Sequence, residues 1–163
     1  AISACEKGNR YDWALVLLQE MRRVDLKPDV ITYSAAISAC EKTEEWRLAL
    51  QLVTEMRSLD LQADAIIYNA AISACDKGKH WEPALQIFCE MREDRLDPNQ
   101  ITYNAVISAC AKAMQWHVAQ ALLSKMRGDN IEATVVIYDV LAIASEGGQQ
   151  VDLVSDVLLG LQR

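Results

Sequence analysis

Within residues 30–64, Tyr33, Ala36, Ile37 and Cys40 fall at i, i+3, i+4 and i+7, so their side chains share one face of a helix. Trp46, Ala49, Leu50, Val53 and Met56 mark a second apolar stripe in the same way. The polar stretch KTEE (42–45) between the two runs makes them an antiparallel pair and offers Thr43 as a cap. The second stripe returns as Trp81, Ala84, Leu85, Phe88 and Met91, and then as Trp116, Ala119, Gln120 and Met126. Pro83 falls where a second helix begins, a place where its missing N–H costs little. KPD (27–29) and DPN (97–99) supply a stop and turn between pairs. Leu26, Leu61, Leu96 and Ile131, just before these turns, are expected to pack one pair on the next.

The pattern is periodic. AISACEK (1–7) recurs at 36–42, as AISACDK at 71–77 and as VISACAK at 106–112, always at an interval of 35. The units are 1–29 (lacking its start), 30–64, 65–99, 100–134 and 135–163 (divergent or lacking its end). A fixed period without insertions predicts stacked repeats, because a lone helical pair cannot bury both of its apolar faces. The expected fold is all-α: an α-solenoid, a right-handed superhelix with the first helices lining one side. Such a surface suits an extended ligand. In the last unit, ASEGGQQ (144–150) replaces the Ala-Cys-Glu-Lys run and Val151 replaces Trp, and a helix from Asp152 to Leu161 is expected to cover the core edge. The chain starts inside a unit and without Met, and is expected to be a segment of a longer array.

At 163 residues the chain has the size of one domain and needs no disulfides to bury a core. Cys5, Cys40, Cys75 and Cys110 are spaced by 35, and equivalent atoms in stacked units lie beyond the roughly 7 Å that limits a disulfide. They are expected to be free thiols filling the core in a reducing compartment, with Cys89 incidental. No Cys/His spacing points to a metal, and no apolar run approaches the roughly 20 residues of a membrane span. No nucleophile–base pair, paired carboxylates or phosphate-cradling Gly loop emerges, so neither catalysis nor a cofactor is expected. The Trp46, Trp81 and Trp116 series and Tyr33, Tyr68, Tyr103 and Tyr138 read as packing, and His80 and His117 as solvated surface.

The net charge of −7, from 16 Lys and Arg against 23 Asp and Glu, argues at first against a nucleic-acid partner. Its distribution weakens that objection. Residues 30–40, 65–75 and 100–110 carry no charge, whereas acids such as Glu44, Glu55, Glu82, Glu90 and Asp94 crowd the second helices and turns. The negative charge is therefore assigned mostly to the outer face.

The period of 35, ITYS (31–34) and ITYN (101–104), the aliphatic-small-Cys-Lys stretch, WxxAL, a Met late in the second helix and a closing PD or PN together resemble pentatricopeptide repeats. The resemblance covers essentially the whole chain, and the 34-residue tetratricopeptide pattern is absent. It implies binding of single-stranded RNA at about one base per repeat. In similar repeats the residue after the Tyr, with the last residue of the repeat, reads a base edge. That implies Ser34 with Asp64, Asn69 with Asn99, and Asn104 with Thr134, while the incomplete units keep Asp29 and Asp139. By the family's code the first pair favours G, the second C over U, and the third is a weak pyrimidine reader; Asp139 departs from the code. Ile31, Ile66, Ile101 and Val136 would clamp the bases. The resemblance also implies a mitochondrion or plastid and a role in RNA processing, editing, stability or translation.

Elementary chemistry supports the same surface. Small polar side chains can offer both donors and acceptors to a base edge, and β-branched residues provide apolar walls with little rotamer freedom to lose. Lys7, Lys42, Lys77 and Lys112 recur at first-helix ends, where they could contact phosphates, although a cation also suits the helix dipole there. Glu6, Glu41 and Asp76 adjoin these lysines, so modest affinity is expected. The alternative is a protein- or peptide-binding scaffold of the tetratricopeptide kind, and a third reading is a structural spacer within a long array. In each case the chain is expected to act as a monomer.

Overall fold

The computed structural model describes residues 11–146. They form α1 (Tyr11–Arg23), α2 (Val30–Lys42), α3 (Trp46–Ser58), α4 (Ala65–Lys77), α5 (Trp81–Glu93), α6 (Gln100–Lys112), α7 (Trp116–Gly128) and α8 (Val135–Glu146). The all-helical stack of pairs has the expected register, with α2, α4, α6 and α8 as first helices. Lys7, Cys5 and the helix expected over Asp152–Leu161 lie outside the described residues.

Short polar residues start the first helices. The side chains of Asp29, Asp64 and Asn99 accept the backbone N–H of Thr32 (2.8 Å), Ile67 (3.0 Å) and Thr102 (3.1 Å), satisfying donors that the first turn leaves unpaired. The second helices start at Glu45, His80 and Gln115 without a side-chain cap bond. Thr43 closes α2 rather than opening α3: its hydroxyl donates to the carbonyls of Ala39 (3.0 Å) and Cys40 (3.3 Å).

Left-handed residues end the helices earlier than the prolines do. Asp25, Asp60, Arg95 and Asn130 follow the second helices, and Glu44, Lys79 and Met114 follow the first, all with φ near 60°. Each reversal is secured by a backbone bond reaching back five residues, such as Leu61 N–H to Met56 C=O at 3.1 Å and Gln115 N–H to Cys110 C=O at 2.8 Å. KPD and DPN thus follow helices that have already ended at Arg23 and Glu93, and only shape the approach to the next cap.

Tyr33, Tyr68, Tyr103 and Tyr138 are buried, as are Ala36, Ile37, Ala71, Ile72, Ile107 and Met91. Cys40, Cys75 and Cys110 are free and buried, which pushes their thiols up to about 11, 12 and 11. The periodic tryptophans Trp46, Trp81 and Trp116 pack half-buried against the core. Three expectations change. Gln120 is exposed, and Leu122 and Leu123 fill its intended place. Leu26 is 58% exposed, whereas Leu61, Leu96 and Ile131 pack against the core. His80 is half-buried with its ring 4.1 Å from that of Trp46, in a corner where a Cβ on Gly78 would fall 2.8 Å from the imidazole. Cys89 is exposed.

The two layers stack differently. α2 packs on α4, α4 on α6 and α6 on α8; α3, α5 and α7 pack on their own partners, and α1, α3 and α5 on the next first helix. Ala35, Ala36, Ala39, Ala70, Ala71 and Ala74 let the first helices approach closely. The second helices stand further apart and are bridged by long side chains. Arg57 reaches Glu90 (3.0 Å) and Asp94 (3.2 Å), Arg92 reaches Asp129 (3.1 Å), and Arg22 pairs with Glu55. This inequality bends the stack toward the first helices.

Candidate nucleic-acid interface

The first turns of the first helices carry the residues expected to read and clamp bases, and the caps place each unit's last residue at the start of the following helix. At one junction the reader and the closing residue meet through a third side chain. The Thr102 hydroxyl lies 2.6 Å from Asn69 Oδ1 and 3.1 Å from Asn99 Oδ1, and accepts the Asn99 backbone N–H at 3.1 Å. At the next junction the Thr134 hydroxyl lies 3.4 Å from Asn104 Oδ1. Ser34 and Asp64 hold the equivalent positions, with the Asp64 carboxylate committed to the Ile67 N–H. Asp29 bonds both the N–H and the hydroxyl of Thr32, which hold its carboxyl below the usual range. Asp139 is exposed on α8.

The proposed clamp residues are apolar and yet face solvent. Ile31, Ile66, Ile101 and Val136 are 71, 66, 63 and 62% exposed, while the Tyr two places later in each unit is buried. A repeated exposed aliphatic side chain is costly to leave in water and provides a wall for a flat ring.

The lysines are partnered. Lys77 Nζ lies 3.2 Å from Glu41 Oε1, which also accepts the Ser73 hydroxyl at 2.8 Å. Lys112 Nζ lies 2.9 and 3.0 Å from the two carboxylate oxygens of Asp76. Lys42 also has a partner. The sequence sets each acid beside its own unit's lysine, but adjacent positions on a helix point apart, so the bond forms with the lysine of the following unit. A phosphate approaching this edge meets cations already shared with carboxylates.

Thr102 went unrecognised in the sequence. It is the buried polar residue of the described core, and it stands where Ile67 and Ile137 stand in the neighbouring units. Thr32 holds the same place in the first full unit, so the alternation of Thr with Ile at one repeat position was the available signal. Among the described residues no group of His, Cys, Asp and Glu could hold a metal ion, and no helix is long and apolar enough to cross a membrane.

Family models fit this arrangement along most of the chain. A pentatricopeptide repeat domain model matches residues 2–43, 16–75 and 51–113, and a PPR repeat model matches residues 101–131. The chain belongs to the pentatricopeptide repeat family. No curated protein matches it. Among solved structures, the maize pentatricopeptide repeat protein PPR10 superposes with a TM-score of 0.82 at 19% identity, over 99% of this chain and 23% of that one. PPR10 in complex with an 18-nt psaJ RNA element gives 0.73 at 25% identity, over 94% of this chain and 23% of that one. The PPR domain of Arabidopsis thaliana protein-only RNase P 1, in complex with tRNA, gives 0.86 at 15% identity, over 99% of this chain and 85% of that one. The chain therefore spans about a quarter of the length of PPR10.

Proposed function

We propose that this segment binds single-stranded RNA in a base-selective way, about one base per unit, and acts as a binding element rather than an enzyme. Ser34 with Asp64, Asn69 with Asn99 and Asn104 with Thr134 read successive base edges, and Ile31, Ile66, Ile101 and Val136 wall the bases. Lys42, Lys77 and Lys112 contact phosphates, Lys77 and Lys112 by exchanging a carboxylate partner for a phosphate oxygen. Membership of the family supports action in a mitochondrion or plastid, in RNA processing, editing, stability or translation. One observation carries the reading: exposed aliphatic residues recur once per unit beside small polar residues on the same helical turns. A peptide-binding scaffold has no need of walls spaced at one per unit.

The test is binding to short RNAs at several salt concentrations. A probe containing G-C-pyrimidine in 5′ to 3′ order should bind more tightly than a scrambled probe, and both should weaken as salt rises. Equal binding of the two probes, or none at low salt, overturns the proposal. Because Lys77 and Lys112 must leave an acid, affinity is expected to be modest and the salt dependence steep only at low ionic strength.

A further inference from the structure

We infer that Thr102 sets the base preference of the preceding unit by locking the Asn69 side-chain amide with its oxygen inward and its NH₂ group outward. The inference rests on the RNA-binding reading above and deepens it at one place.

The hydrogen-bond inventory fixes the direction of the lock. Thr102 Oγ1 accepts the Asn99 N–H, and Asn99 Oδ1 already accepts the Thr102 N–H. The hydroxyl proton has two acceptors in reach, Asn69 Oδ1 at 2.6 Å and Asn99 Oδ1 at 3.1 Å. The shorter distance falls among hydroxyl-to-oxygen bonds and lies short of the usual range for an amide N–H donor. Thr102 is completely buried, so water does not compete for that proton. With its oxygen turned in toward Thr102, Asn69 presents its two N–H donors to the ligand.

A group that only donates discriminates among bases. Cytosine presents two adjacent acceptors, N3 and O2, on its pairing edge. Uracil places an N3–H donor between its two carbonyls, so an NH₂ group aimed at the middle of that edge meets another donor. A freely turning Asn amide could accept from uracil N3–H by presenting its oxygen; the locked one cannot. The lock thus supplies a physical reason for a preference of C over U at this unit. It is also local. Ile67 holds the equivalent place for Ser34, and Ile137 for Asn104, neither with a hydrogen-bonding side chain.

The experiment compares the present chain with Thr102→Val and Thr102→Ser on RNAs that differ only in C or U at the base facing Asn69. Valine keeps the shape without the hydroxyl, and neighbouring units already accommodate isoleucine there; if it fails to fold, Thr102→Ala removes the same hydroxyl. The ratio of the two dissociation constants should fall about fivefold or more in Thr102→Val, the worth of one good side-chain-to-base pairing, and should survive in Thr102→Ser. The preference for G at the base facing Ser34 should not change in either variant. A merely structural role for Thr102 would weaken both probes alike and leave the ratio intact, so an unchanged ratio in a folded, hydroxyl-free variant overturns the inference while leaving RNA binding standing. Absence of base selectivity in the unaltered chain overturns both.

Discussion

The first-helix layer and the second-helix layer are built from the same repeat but held by different forces. In the first-helix layer α2, α4 and α6 carry no charge until their last residues and are lined by buried alanines, cysteines and β-branched side chains. The second helices are joined across a wider gap by Arg57 to Glu90 and Asp94 and by Arg92 to Asp129. Tyrosine links the layers: Tyr33 donates to Glu55 at 2.9 Å, Tyr103 to Asp129 at 2.6 Å and Tyr68 to Asp94. Each tyrosine hydroxyl is held above its usual range, first by burial and then by its carboxylate partner. The close layer fixes the spacing at which ligand-facing residues recur. The open layer only has to keep the units from splaying, so partly exposed ion pairs suffice.

The sharpest way to break this comparison is to enlarge the close layer. Ala71 is completely buried on α4, and Ala71→Leu should cost about 1–3 kcal/mol by overpacking, measured by denaturant unfolding. The loss should be nearly independent of salt, and a tolerated leucine would show that the first helices are not in close contact. Cutting a bridge in the open layer should do less. Arg57→Ala should cost less than about 1 kcal/mol, because the pairs are partly exposed. That cost should shrink at high salt, and a larger, salt-insensitive loss would mean that Arg57 acts through packing.

Acid gives the mildest separation. Tyr103 and Arg92 hold the Asp129 carboxyl below its ordinary 3.8, and the Thr32 hydroxyl and N–H do the same for Asp29. The unfolded chain therefore takes up these protons first as pH falls. Their stabilisation is complete above about pH 4 and is lost as pH drops through the lowered folded-state values. The thermal midpoint should be flat just above that point and decline below it, and Asp129→Asn should flatten the decline. A decline unchanged by the substitution would assign it to other carboxylates.

Most of the fold was legible in the sequence because the same constraint is written several times. Four copies of one heptad at one interval fix the unit, and the i, i+3, i+4, i+7 spacing fixes which face is buried. The details that escaped are those on which the repeats disagree or on which the backbone alone decides. Among the described residues, the left-handed residues that end the helices are Asp, Glu, Lys, Arg, Met and Asn, never Gly, so no residue type announced them. Gln120 broke the apolar stripe, and a single exception cannot say whether it or the stripe gives way. The exposure of the aliphatic walls was legible only through the family resemblance, since isoleucine at the start of a helix otherwise reads as core.

The interface divides along the same line. Sequence by itself determined the period, the helical pairs and the kinds of side chain available once per unit: a small polar residue, an aliphatic one and a lysine. Tertiary structure decided who meets whom across the junctions. It bonded Lys77 to Glu41 and Lys112 to Asp76, one unit back, and brought Thr102 to Asn69 from the following unit. The physical reason is that periodicity fixes which face of a helix a side chain occupies, whereas a hydrogen bond depends on a few tenths of an ångström between residues some 35 positions apart. Only the stacking of one unit on the next sets that distance.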